Sequence, residues 1–287
     1  MRSLLDLRVP ALTGEATRLA PQLQRIVAPN PSALTGPGTN TYVLGTGATH
    51  LVIDPGPDDP VHLDRVVAAA DGRVAGILCT HSHADHSPGA ARLARRVGAP
   101  VHGRPAPTDD YQDVTYAPDT WISDGDLFRV PGVTVRALHT PGHASNHVCF
   151  LLEPEGWLVT GDHLMSGSTV VILPPDGSMR DYLDSLRRLR TLHLTALLPG
   201  HGAVMPDPLG EIDRVIAHRL KRESKVIDAL RRQGLAATLD TLVPDVYHDT
   251  PTALHGLARF SLLAHLQKLH EEGRVARDGE HWAWRER

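Results

Sequence analysis

The chain has 287 residues, 41% of them hydrophobic, with a formal net charge of −4 at pH 7 and 18 histidines. That length can bury a large core and holds one large domain beside a small one. The balanced charge excludes a polybasic nucleic-acid carrier or a disordered polyelectrolyte, and no run approaches the ~20 apolar residues of a membrane helix.

In chain order, Met1 to Ala20 sets Arg2, Asp6, Arg8 and Glu15 among its leucines, which leaves no apolar stretch for a secretory signal. Thr41–Leu44 and His50–Ile53 predict a hairpin around Gly45 and Gly47. Val61–Ala70 carries helical spacing, and Gly76–Thr80 is a short apolar run that predicts a buried strand. Directly after it comes His81-Ser82-His83-Ala84-Asp85-His86, four metal-ligand side chains in six positions. In extended backbone His81 and His83 project to one side, while Asp85 and His86 lie past the strand end and can turn towards a second ion. A helix over Gly89–Val97 follows, then a loop over 103–120 rich in Pro, Asp, Thr and Tyr; in or beside it His102, Tyr111 and Tyr116 are candidates for a lid, with disorder the competing reading.

Three later segments repeat one device: an apolar strand, a glycine, then a ligand. They are Leu138–His143, Trp157–Asp162 and Leu197–Gly202, which offer His143, Asp162 and His201. Glycine lets backbone turn sharply and approach an ion closely, so each ligand lands at the rim of a rigid sheet. His139 reads as a strand residue, and His147 and His163 as hydrogen-bonded structural histidines near the site. Asp54, in Ile53-Asp54-Pro55-Gly56, reads equally as a turn residue or as a carboxylate that orients a ligand histidine. Asp181–Leu192 predicts an amphipathic helix, and Pro206-Asp207-Pro208 a boundary. Ile212–Arg232, Leu235–Tyr247 and Pro251–Leu269 predict three helices, and Gly273–Trp284 a two-stranded wing.

The order and spacing of these motifs resemble the metallo-β-lactamase superfamily along nearly the whole chain. Asn30-Pro31, Gly38-Thr39-Asn40-Thr41-Tyr42, Ile53–Gly56, Gly161–Met165 and Pro174–Gly177 are similar to the β-lactamase-like protein 2 group and its bacterial relatives. The resemblance implies an α/β fold, a four-layer αββα sandwich over 1–210, with a small winged-helix domain over 211–287. It implies that His81, His83 and His143 bind one metal, that Asp85, His86 and His201 bind a second, and that Asp162 bridges them. True metallo-β-lactamases lack that bridging aspartate, whereas glyoxalase II-like thioesterases and the superfamily's nucleases carry it.

Two adjacent cations lower the pKa of bound water towards 7, and a metal-bridging hydroxide is the expected nucleophile, with Asp85 and Asp162 as its catalytic carboxylates. Two Zn²⁺ are the expected cofactors, and the same ligands suit iron or manganese. The expected function is hydrolysis of a small acyl or thioester substrate. The alternative is a single-strand-specific endoribonuclease, with RNA as the partner. Residues 211–287 hold 13 Lys and Arg against 12 Asp and Glu, which favours a packing, homodimerising or substrate-pocket role over duplex binding. Arg259, Lys268, Arg274 and Arg277 are the candidate anion contacts there. Cys79 and Cys149 fall in apolar runs and read as buried thiols, which points to the cytoplasm.

Overall fold

A computed structural model describes residues 11–71, 73–233 and 237–285. The reading of Arg2, Asp6 and Arg8, and the start of the expected helix at Leu235, fall outside the described residues. The chain divides into two compact units, one of 1–140, 146–170 and 192–211, the other of 141–145, 171–191 and 212–287.

In the first unit, a seven-stranded sheet runs in sequence order: β1 (Ala16–Ala20), β2 (Leu23–Val27), β3 (Asn40–Leu44), β4 (His50–Ile53), β5 (Val74–Leu78), β6 (Val101–Gly103) and β7 (Thr120–Trp121). Pairing is antiparallel from β1 to β4 and parallel from β4 to β7. A five-stranded sheet collects β8 (Leu127–Val130), β9 (Val133–His139), β10 (Val148–Glu153), β11 (Trp157–Gly161) and β12 (Ala196–Pro199), with β11 and β12 parallel.

The central strands are apolar at nearly every position because both faces are covered, as period-two side chains require of a buried sheet. Tyr42, Leu44, Leu51, Ile53 and Leu78 enter one core together with Val135, Phe150, Leu152, Trp157 and Leu198 of the second sheet. Their neighbours Val43, Val52 and Ile77 face the other way, against Leu63 and Val66 of α1 (Pro60–Ala69) and Leu93 of α2 (Gly89–Val97). Asp59 caps α1 by accepting from the His62 N–H at 2.7 Å, with Pro60 at the first helical position. Helix, sheet and sheet are thus the layers of this unit.

The second unit carries α3 (Met179–Arg190), most of α4 (Pro208–Gln233), α5 (Leu239–Val246), α6 (His255–Glu271) and the wing β13 (Val275–Asp278) with β14 (His281–Trp284). Leu230, Leu242, Val246, Leu262, Leu266, Leu269 and Trp282 make its core. α5 begins at Leu239 because Thr238 caps it reciprocally with Thr241, while Ala237 pairs in extended form with Trp282. Helices followed by a two-stranded antiparallel wing, β13 with β14, make up this unit.

The four cations expected to contact an anion are engaged within the unit. Lys268 is buried against Glu223 at 2.8 Å, Arg274 pairs with Glu272 at 3.4 Å, and Arg259 pairs with Asp240. Arg277 lies over the Trp282 ring at 5.0 Å. No helix among the described residues is long and apolar enough to cross a membrane.

Candidate metal centre

The ligand run starts just beyond β5. His81 Nε2 and His83 Nδ1 come within 2.9 Å, so the two imidazoles aim ring nitrogens at one place. The His86 ring lies 4.3 Å from that of His81, so the second group begins beside the first.

Four side chains from three distant segments form that second group. Nε2 of His86 and Nε2 of His201 lie 3.3 Å apart. Asp162 Oδ1 is 3.3 Å from the first and 3.2 Å from the second. Asp85 Oδ2 is 3.5 Å from His86 Nε2 and 3.1 Å from His201 Nε2. A tetrahedral ion with bonds of ~2.0–2.1 Å keeps its ligand atoms ~3.3–3.4 Å apart, and these spacings match it. Two imidazoles and two carboxylates at those separations are a donor set for a divalent metal, and the residues fit one.

Each imidazole is held by its other nitrogen. Asp54 Oδ2 accepts from His86 Nδ1 at 2.9 Å, which leaves the Nε2 lone pair for an ion. Asp54 is itself fixed, since Oδ1 accepts from the Thr80 N–H at 2.7 Å and Oδ2 from the Thr80 hydroxyl at 2.8 Å. It is therefore the orienting carboxylate and not merely a turn residue. It adopts φ +50°, a left-handed conformation that non-glycine residues rarely hold. His201 Nδ1 donates to Gly38 O at 3.3 Å. His147, fully buried, accepts the Asp162 N–H at 3.2 Å through Nε2 and meets Thr140 Oγ1 at 3.0 Å through Nδ1. The sequence alone reads His147 as structural; its bond to the Asp162 backbone becomes legible only in three dimensions.

The electrostatics draw in positive charge. Burial alone would lower the His201 pKa, but Asp162 and Asp85 outweigh it and raise it to about 9. His86 is likewise raised against its burial, by Asp85, Asp162 and Asp54. Asp162, which burial would push up, is held well below the usual carboxylate range by His201 and His86. At Gly200 a side chain is excluded: an added Cβ would stand 2.8 Å from Asp162 Oδ1 and from His86 Cε1.

His143 belongs to the second unit, where its Nδ1 donates to Val171 O at 2.8 Å and leaves Nε2 as a donor atom for an ion. His139 ends β9 as a half-buried strand residue. The loop over 103–120, a candidate lid in the sequence, is tied to the ligand run at Asp113. Asp113 N donates to Ser82 O at 2.7 Å, and Ser87 Oγ donates to Asp113 Oδ2 at 2.8 Å.

Paired sheets with His and Asp side chains gathered at strand ends define a metal-binding hydrolase. The chain belongs to the metallo-β-lactamase superfamily, whose sequence signature matches residues 34–201, and residues 238–284 match the β-lactamase-associated winged helix domain. It is 32% identical over 284 residues to a "Beta-lactamase-like protein 2 homolog" of Drosophila melanogaster, covering 92% of this chain and 93% of that one. An "Atrochrysone carboxyl ACP thioesterase" of Aspergillus chevalieri is 36% identical over 254 residues, covering 85% and 79%. A crystal structure of a metallo-β-lactamase family protein from Thermus thermophilus superposes with a TM-score of 0.76 at 24% identity, covering 93% of this chain and 100% of that one.

Proposed function

We propose that this protein hydrolyses acyl thioesters at a centre of two zinc ions, the first held by His81, His83 and His143 and the second by Asp85, His86 and His201, with Asp162 serving both. The supporting observation is Asp162 Oδ1, placed 3.2–3.3 Å from the Nε2 atoms of His86 and His201. A carboxylate there is the feature that thioesterases of this fold carry and true metallo-β-lactamases lack. Relatives bearing a thioesterase name align over most of the chain, which supports the substrate class.

When bound, the ions supply Lewis acidity that ionises water near neutral pH and polarises the scissile carbonyl. The chain's residues do the rest. Asp54 and Gly38 O fix the ring tautomers of His86 and His201. His147 holds the backbone of Asp162. Asp85, with 30% of its side chain exposed, is the acidic group able to take a proton from the open side of the centre.

We assign 1–210 to the catalytic domain and 211–287 to the winged-helix domain. Two buried free thiols fit a reducing compartment, and the cytoplasm is the proposed location.

The test is turnover of a panel of acyl-CoA and acyl-pantetheine thioesters by zinc-loaded protein, beside a fluorescent single-stranded RNA. Thioester turnover that EDTA abolishes and zinc restores is expected. Cleavage of the RNA with no thioester turnover would replace this reading with a nuclease.

A further inference from the structure

The segment Gly38-Thr39-Asn40-Thr41-Tyr42 stands about 160 positions before His201, yet it grips the turn that carries that ligand. Asn40, fully buried, donates through Nδ2 to Pro199 O and to Gly202 O, both at 2.9 Å, so one amide spans the turn on either side of His201. Its backbone N–H donates to Gly200 O at 2.7 Å. The buried Tyr42 hydroxyl donates to Pro199 O at 2.8 Å. Thr39 forms an isolated antiparallel bridge with His201 itself, and Gly38 O accepts from His201 Nδ1 at 3.3 Å. Gly38 holds φ +131°, and a Cβ there would come within 2.0 Å of Ala28 O, so only glycine lets its carbonyl sit where the imidazole needs it.

The carbonyls of residues 199, 200 and 202 thus all find donors on β3. Turn backbone otherwise meets such needs with water or with its own residues. A buried carbonyl that loses its donor keeps its desolvation cost, so the turn would shift to recover a partner, and His201 would shift with it.

We propose that Asn40 is a positioning residue for the metal centre, and that Gly38, Asn40 and Tyr42 together form a clamp setting the place and ring orientation of His201. The inference rests on His201 as a metal ligand and is independent of which bond is hydrolysed. Asn40 touches neither ion nor substrate and acts through the turn. The centre's second group therefore has two orienting systems: Asp54 for His86 and the β3 clamp for His201.

The experiment measures zinc affinity by competition with a chromophoric chelator, and the visible spectrum of the cobalt-loaded protein, for wild type, Asn40→Asp, Tyr42→Phe, His201→Ala and Val43→Ala. Asn40→Asp keeps the shape but presents an acceptor to both carbonyls. Its weaker ion is expected to bind roughly 10–100-fold less tightly, the range for loss of a group that orients a ligand, with a cobalt spectrum moved towards that of His201→Ala. Tyr42→Phe removes one of several bonds and should cost roughly threefold. Val43 lies on the same strand but faces the helices, so Val43→Ala should lower thermal stability with affinity unchanged.

Wild-type affinity and spectrum in Asn40→Asp would overturn the proposal. So would an affinity loss in Val43→Ala as large as that in Asn40→Asp, because affinity would then merely follow stability. A wild-type protein that takes up no metal would overturn the metal-centre reading itself, and the clamp with it.

Discussion

Two buried clusters of charged and imidazole groups, one in each unit, show what separates a site from a strut. In the second unit Glu223 meets Lys268 at 2.8 Å, Lys268 meets Glu272 at 2.7 Å, and Arg274 closes the group on both carboxylates. Two acids face two bases there, so the charge cancels internally. In the first unit Asp54, Asp85 and Asp162 surround two imidazoles, which carry charge only when they bind a proton. The imidazoles there are drawn towards protonation, as the raised pKa values of His86 and His201 show. Composition alone thus does not mark a candidate metal site; carboxylate oxygens converging with aligned imidazole nitrogens do.

Substitutions can break that contrast. The largest expected effect is at Asp162. Asp162→Asn keeps the shape and removes the charge, and steady-state thioester hydrolysis should fall by about 10³-fold, since charge stabilisation of this kind contributes several kcal/mol. Lys268→Met should leave turnover per folded molecule unchanged. It leaves Glu223 with only the more distant Arg274 and His265, at 3.8 and 3.6 Å, and should cost up to about 3 kcal/mol in chemical denaturation of the second unit. Glu223→Leu combined with Lys268→Met should recover most of that loss. A fall in turnover in Lys268→Met equal to that in Asp162→Asn would erase the distinction between the clusters.

Acid should reach both units in the same window, since burial also holds the His218 imidazole of α4 down at about 4. Burial holds the His62 imidazole down at about 4, so the folded first unit binds fewer protons than the unfolded chain between pH ~6.5 and 4. Its stability contribution is full above that window and is lost as pH falls through it, by up to about 3 kcal/mol. Glu223 would be raised by burial, but His265 and Lys268 bring it down to about 2. Its contribution therefore persists to pH ~4.5 and is lost only towards pH 2. Region-resolved hydrogen exchange on EDTA-treated protein should show α1, which carries His62, losing protection as pH falls from ~6.5 to 4; unchanged protection of α1 across that window would contradict the assignment. The smallest effect is at Asp54. Asp54→Asn should weaken zinc binding by roughly 10–100-fold through loss of the His86 orientation, read by chelator competition.

The legible part of the molecule is the part where chemistry sits in consecutive residues. Gly76–Thr80 with the following ligand run, and the glycine–ligand ends of β11 and β12, can be placed because strand pattern and ligand type coincide there. The ends of α2 agree to the residue, since Gly98 at φ +69° stops the helix. β1 and β2 escape notice because each is five residues long and carries Arg or Gln among its apolar positions, which blurs a period-two signal. The loop over 103–120 looks loose in sequence because Ser82 and Ser87, which tie down Asp113, lie 26 or more residues before it. Asn40 is visible only as part of a signature. Its amide gains meaning from carbonyls at 199 and 202, and no local pattern reports a partner that distant.

The spread of the ligands along the chain also sets when the centre can come into being during synthesis. His81 to His86 leave the ribosome long before His201, and at ~5–20 residues per second that interval lasts from several seconds to tens of seconds. Until the Pro199–Gly202 turn settles against β3, Asp85 and His86 would lack one ligand of the proposed second site. On the proposed ligand set, capture of the second ion would therefore be a late event in maturation, later than completion of the first site at His143.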